Sequence, residues 1–227
     1  MHRAVFLDRD GVINPMVYDP EFGLVDSPAN PDEFRLNPRV GQSVRRIKEM
    51  GFLTIVVSNQ PGVAKGRFTP SLLDAVTDKM HAELARSQAR LDGVYYCLHH
   101  PHALLEEYRF TCVCRKPKPG LLLQAAQEWH IDLASSYVIG DGLTDMLAGQ
   151  FVGTTNIFIS SRKCYICDEV VRQDVQIEYV AQDLSDAVTL VESRESGKAL
   201  DPTRYFPLKP SLPVQTRESL SALGTSR

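Results

Sequence analysis

The run Ala4-Val5-Phe6-Leu7, closed by Asp8-Arg9-Asp10-Gly11, constrains this chain more than any other stretch. Four consecutive apolar residues bounded by polar ones read as a strand buried on both faces, the kind found in parallel sheets. Such sheets bind ligands outside the carboxyl ends of their strands, which is where the two aspartates fall. Residues two apart on a strand point the same way, and Gly11 frees the backbone to turn there. Two carboxylates held this close repel each other unless a proton or cation lies between them. Mg²⁺ is the cation that suits carboxylates working on phosphate.

The same form recurs along the chain. Phe52 to Val57 is a second apolar run, followed by Ser58-Asn59-Gln60-Pro61-Gly62. Gly93 to Cys97 is a third. Tyr137-Val138-Ile139-Gly140 is a fourth, followed by Asp141-Gly142-Leu143-Thr144-Asp145. Asn156 to Ile159 and Glu178 to Val180 complete the strands. Helical periods lie between them. Val40, Val44 and Ile47 share a face, with Gly51 as the C-cap. Leu73, Val76, Met80 and Leu84 line a long helix from about Pro70 to Arg90, a stripe that core packing explains. Leu121, Leu122, Ala125, Ala126 and Trp129 mark a helix from about Gly120, and a last helix runs from about Leu184 to Glu195. The alternation predicts an α/β fold. Pro15 to Pro38 is irregular and too long for an ordinary connection, so it is expected to be a functional loop lining the substrate entrance.

A length of 227 residues fits one domain with a tail. We expect a domain over 1–196 and a tail over 197–227, extended or disordered, because the chain beyond Gly197 is rich in Pro, Ser and Thr. The formal net charge of −3 gives no general reason to bind nucleic acid or an anionic membrane, so neither is expected as a partner. No apolar run approaches bilayer length. Met1-His2-Arg3 leads almost directly into a strand, which argues against a secretory signal and for the cytoplasm.

Five cysteines in unequal spacing do not read as a disulfide framework. Cys97-Leu98-His99, then twelve residues, then Cys112-Val113-Cys114 offers three thiolates and an imidazole, the soft tetrahedral set zinc prefers. With all four positions filled by protein, such a zinc is structural. It would clip the loop from His100 to Thr111 against a strand end. His100 and His102 compete with His99 for the imidazole position. Cys164 and Cys167 look like half a site with no partners and read as two thiols. Arg115-Lys116-Pro117 follows the last ligand. It is either a rigidly held phosphate-binding pair or a basic turn in water. Ser58 is either a donor to a phosphate oxygen or a turn residue, and Asp8 and Asp10 favour the first. Lys65 and Arg67 are either solvated surface or contacts to a second anion.

Phe6-Leu-Asp-Arg-Asp-Gly, Ser58-Asn-Gln, Gly93-Val-Tyr-Tyr-Cys-Leu-His-His-Pro, Cys112-Val-Cys-Arg-Lys-Pro-Lys-Pro-Gly and Ser136-Tyr-Val-Ile-Gly-Asp together resemble the histidinol-phosphatase-related branch of the haloacid dehalogenase superfamily. The resemblance covers Ala4 to about Glu195. It implies a Rossmann-like three-layer sandwich with a mostly parallel central sheet, a minimal cap and a zinc-clipped loop. It implies a phosphatase acting on a small phosphorylated sugar, as a monomer. Asp8 would be the nucleophile and Asp10 the general acid and base. Ser58 and Lys116 would hold the phosphoryl oxygens. Arg115, Arg9, Asn59, Gln60, Lys65 and Arg67 would contact substrate. Asp8, Asp10 through its backbone carbonyl, and Asp141 would hold Mg²⁺, with Asp145 either supporting them or serving only as a helix cap. Cys97, His99, Cys112 and Cys114 would hold Zn²⁺. The chain departs from the pattern at Gly142, where a lysine is usual, in its longer Pro15–Pro38 loop, in the Cys164/Cys167 pair and in its tail. Those departures keep two other readings in play: a phosphatase for another monoester such as histidinol phosphate, and a catalytically silent zinc-containing binding protein.

Overall fold

The apolar runs pair side by side. In the computed structural model, which describes residues 1–19, 23–160, 169–170 and 172–199, β1 (Ala4–Leu7) lies between β4 (Leu53–Asn59) and β6 (Tyr137–Gly140). With β5 (Gly93–Cys97), β7 (Thr155–Ile159) and β8 (Tyr179–Ala181) they form a six-stranded sheet in the order β5-β4-β1-β6-β7-β8, and every pairing is parallel. Cys164, Cys167 and the chain from 200 onward lie outside the described residues.

The period of two along β1 divides the core. Val5 and Leu7 face one side, where α1 (Val40–Glu49), α3 (Pro70–Arg86) and α6 (Leu184–Glu195) cover the sheet. Ala4 and Phe6 face the other, covered by α4 (Gly120–Trp129) and α5 (Leu143–Val152). All four β1 side chains have no exposed surface, which is why this strand carries no alternation in its sequence. Among the described residues no helix is long and apolar enough to cross a membrane.

Local signals set the ends. The Thr69 hydroxyl accepts from the Leu72 N–H at the start of α3. That helix stops at Arg86, four residues before the expected Arg90, and Gln88 adopts a left-handed φ of 53°. Met50 caps α1, and Gly51 takes the following left-handed position at φ 82°. The turn expected after Ser58 contains a short helix, α2 (Pro61–Ala64). The Pro15–Pro38 segment is not wholly irregular: β2 (Val17–Asp19) and β3 (Leu24–Asp26) pair antiparallel as a two-stranded ribbon. Tyr18, Leu24 and Val25 on that ribbon are exposed, so no buried face wrote a strand pattern into the sequence.

The register fixes where function sits. Leu7 lies beside Val56 on one side and Ile139 on the other. The residues that follow all three strands therefore emerge at one edge, where the strand order reverses around β1.

Asp92, just before β5, ties the opposite edge. Its two oxygens take the Lys48 ammonium at 2.6 and 2.7 Å, and one of them also takes the buried Thr54 N–H at 2.7 Å. Asp92→Ala is expected to lower stability by about 1–3 kcal/mol, because it leaves both donors without their acceptor. The urea midpoint measures this.

Candidate active site

Asp8 begins where β1 ends, and its N–H still donates to the Ile139 carbonyl at 3.0 Å. Ser58 and Asn59 are the last residues of β4, and Asp141 follows β6. Asp8, Asp10, Ser58, Asn59, Asp141 and Asp145 line one cavity of about 700 Å³. Gly11 shapes its floor. Its φ is +87°, and a Cβ there would stand 2.3 Å from an Asp141 carboxylate oxygen. Only glycine combines that turn with that close approach.

Lys116 reaches this cluster from behind. It is 4% exposed, and its ammonium lies 3.0 Å from Asp8, 2.5 Å from Asp145 and 2.8 Å from the Val57 carbonyl. Burial disfavours the charge, but Asp145 and Asp8 override it and raise the Lys116 pKa. Burial, helped by the neighbouring Asp8 and Asp141, pushes Asp145 up to about 7 against the pull of Lys116. The Asn59 side chain grips the Lys116 backbone twice, accepting from its N–H at 3.0 Å and donating to its carbonyl at 3.1 Å.

The Asp10 carboxylate is held from several sides. Arg9 donates to both of its oxygens at 3.1–3.2 Å. Asn14 Nδ2 donates at 2.9 Å, Gln60 Nε2 at 2.6 Å and the Ser27 hydroxyl at 2.9 Å. This cradle corrects the placement of two residues. Arg9 and Gln60 were expected against substrate, but both have no exposed surface and stand behind Asp10, outside the cavity lining. A buried guanidinium needs a carboxylate partner, and Asp10 is the partner adjacent in sequence. Asp10 raises the Arg9 pKa against the effect of burial. Asn14 and Ser27 were not singled out from the sequence. An asparagine four residues after an aspartate, and a serine in a Pro/Asp-rich loop, carry no distinguishing signal.

Asp8, Asp141 and Asp145 each bring a carboxylate oxygen within 4.8 Å of the others. An all-oxygen set with excess negative charge fits Mg²⁺. Asp145 caps the helix, its Oδ2 accepting from the Gly142 N–H at 3.0 Å at the start of α5, and its carboxylate also lies within reach of Asp8 and Asp141.

A second donor set lies beside the first. Cys97 Sγ is 3.5 Å from Cys112 Sγ, 3.3 Å from Cys114 Sγ and 3.7 Å from His99 Nδ1, and His99 Nδ1 is 3.3 Å from Cys114 Sγ. Donors about 2.3 Å from a tetrahedral zinc are spaced in this way, so the cluster fits Zn²⁺. His99, not His100 or His102, supplies the imidazole. Burial pushes the Cys97 and Cys114 thiols up. Cys112 falls to about 6: burial opposes this, and hydrogen bonds from Cys114 and the Arg115 N–H outweigh it. Cys114 leads through Arg115 to Lys116, so the cluster anchors the loop that delivers the lysine.

Lys65, Arg67 and Arg115 are not part of this cavity's lining. Lys65 and Arg67 line an adjoining cavity that shares Asp26 and Ser27 with the first, and Arg67 pairs with Asp26. Arg115 donates to the His99 carbonyl at 3.3 Å. Burial, then the positive charges of Arg115 and Lys65, hold the His100 pKa low.

Residues 113–187 match a family model described as "HAD-hyrolase-like". The D-glycero-beta-D-manno-heptose-1,7-bisphosphate 7-phosphatase of Yersinia pestis is 43% identical over 192 residues, covering 84% of this chain and 96% of that protein. The protein of the same name from Escherichia coli (strain K12) is 46% identical over 145 residues, 64% of this chain and 72% of its own length. The crystal structure of D,D-heptose 1,7-bisphosphate phosphatase from B. bronchiseptica, complexed with magnesium and phosphate, superposes with a TM-score of 0.67 at 27% identity. It covers 85% of this chain and 99% of that one.

Protein purified without added zinc is expected to carry about one zinc per chain, and stripping it with a strong chelator is expected to lower the melting temperature. Elemental analysis and a thermal melt measure both effects. Cys112→Ser should lose the metal.

Proposed function

The chain belongs to the haloacid dehalogenase family, among the relatives of the heptose bisphosphate phosphatases, and on that premise we propose that it hydrolyses the 7-phosphate of D-glycero-β-D-manno-heptose 1,7-bisphosphate through an aspartyl-phosphate. The observation that carries this reading is the convergence of Asp8, Asp10, Ser58 and Asp141 on one cavity, with Lys116 held 3.0 Å from Asp8.

Phosphoryl transfer asks for positioning and for compensation of charge on the phosphoryl oxygens. In this proposal the Asp8 carboxylate attacks phosphorus. Asp10 gives a proton to the departing sugar oxygen, then takes one from the water that releases phosphate. One carboxylate thus serves as acid and then base. Ser58 donates to a phosphoryl oxygen, and Lys116 offsets the charge that accumulates beside Asp8. Asp8, Asp141, Asp145 and the Asp10 carbonyl would hold Mg²⁺, which supplies further positive charge at the transferring group. A bisphosphate carries a second anion, and Lys65 with Arg67 in the adjoining cavity, or Arg115, would meet it. Gly142 leaves this site one cation fewer than the lysine usual in the family.

The domain in this reading is 1–196, ending just beyond α6, and 197–227 is a tail. The thiol cluster supports a reducing compartment, the cytoplasm.

The test is Mg²⁺-dependent phosphate release from both anomers of the heptose bisphosphate, fructose 1,6-bisphosphate and histidinol phosphate. The β-heptose anomer is expected to give the highest kcat/KM. Asp8→Asn is expected to reduce turnover at least a thousandfold, since no nucleophile remains. A preference for histidinol phosphate would replace the substrate assignment. Near-normal turnover by Asp8→Asn would overturn the mechanism.

A further inference from the structure

Arg9 and Gln60 have no place in the reaction just described, yet both are fully buried polar side chains one layer behind it. Arginine has only hydrogens to offer. Its Nη2 donates to Gln60 Oε1 at 2.9 Å, which fixes the orientation of the Gln60 amide. The opposite orientation would set an NH₂ against a guanidinium and a carbonyl oxygen against a carboxylate. With Oε1 on Arg9, the two Nε2 hydrogens serve Asp10 Oδ2 at 2.6 Å and Ser58 Oγ at 3.2 Å. Arg9 is itself held by Asp10 and by the Tyr96 ring, 5.5 Å from its guanidinium carbon.

Ser58 takes part through its hydroxyl oxygen. Its oxygen accepts from the Gln60 amide, which leaves its own hydrogen to point away from that amide and donate elsewhere. Among the described residues it has no protein acceptor, and Ser58 lines the cavity. Gln60 thereby links the group beside the leaving oxygen to the group beside a phosphoryl oxygen, although one follows β1 and the other ends β4.

We propose that Gln60, oriented by Arg9, is a positioning residue that fixes Asp10 and Ser58 relative to each other and turns the Ser58 hydroxyl hydrogen toward the substrate. The inference rests on the phosphatase reading above. Neither residue touches substrate, so each acts on the rate of the chemical step and not on binding. Misplacing a reacting group by about 1 Å costs up to about a hundredfold in rate.

The test measures kcat and KM with Mg²⁺ for Gln60→Met, Gln60→Glu and Arg9→Lys, on the heptose bisphosphate and on p-nitrophenyl phosphate. Gln60→Met keeps length but removes the amide. Gln60→Glu keeps an oxygen toward Arg9 but has no hydrogen for Asp10 or Ser58. Both are expected to lower kcat on the sugar phosphate by about ten- to a hundredfold, with KM within about twofold. The loss on p-nitrophenyl phosphate should be smaller, because its leaving oxygen needs less protonation. Arg9→Lys, which retains charge but not the fork, should show an intermediate loss. Should Gln60→Met fail to fold, the other two variants carry the same test.

A raised KM with unchanged kcat would make Gln60 a substrate contact and overturn the proposal. A lower melting temperature with unchanged kinetics would reduce it to packing and overturn it too. Wild-type protein that releases phosphate from neither substrate would overturn the phosphatase reading and this inference together, a result visible before any variant is compared.

Discussion

A buried ammonium between two carboxylates is the interaction on which the rest of this structure depends. Lys116 sits 2.5 Å from Asp145 and 3.0 Å from Asp8, with 4% of its surface exposed. A buried charge is tolerated only when partners surround it, and here they come from the ends of β1, β4 and the start of α5. The lysine therefore does two things at once. It holds three elements of the sheet edge together, and it relieves the repulsion among the carboxylates gathered there. Removing it would leave Asp8, Asp141 and Asp145 as an uncompensated acidic cluster.

Lys116 arrives from a loop, and the loop is restrained from both directions. Asn59 clamps its backbone, and the Cys97/His99/Cys112/Cys114 cluster closes two residues earlier. The cluster joins the end of β5 to the approach to α4, so its contribution to function is geometric. On the other side of the cavity the ribbon β2–β3 leads into Ser27, whose hydroxyl reaches Asp10. The cavity-lining carboxylates thus stand on strand ends, and supports from loops hold them in register. Function here depends on rigid elements braced by local polar networks.

Much of this was legible in the sequence because buried parallel strands are written as continuous apolar runs. Ala4–Leu7, Gly93–Cys97 and Tyr137–Gly140 begin and end where the residue types change. The positions of Asp8, Asp141 and the Cys/His set follow from those boundaries. The ribbon was not legible, since Tyr18, Leu24 and Val25 are exposed and create no alternation against a core. Arg9 and Gln60 were placed correctly along the chain but on the wrong side of Asp10. Sequence gives the residue types at a strand end and not the direction in which a long polar side chain turns. Only the packing of Tyr96 and the carboxylate of Asp10 decides that. Ser27 was invisible for a different reason: its contact spans seventeen residues of loop, and nothing local marks it.

The central claim is that Asp8 is the group that takes the phosphoryl from the substrate. The most direct measurement is to quench the protein with acid during its first turnover of the heptose bisphosphate with Mg²⁺ and to map any phosphorylated peptide by mass spectrometry. The account predicts a transient phosphoryl group on the peptide carrying Asp8, absent in Asp8→Asn. Phosphate release with no phosphorylated protein at any quench time, or a phosphoryl group mapped to another residue, would contradict it.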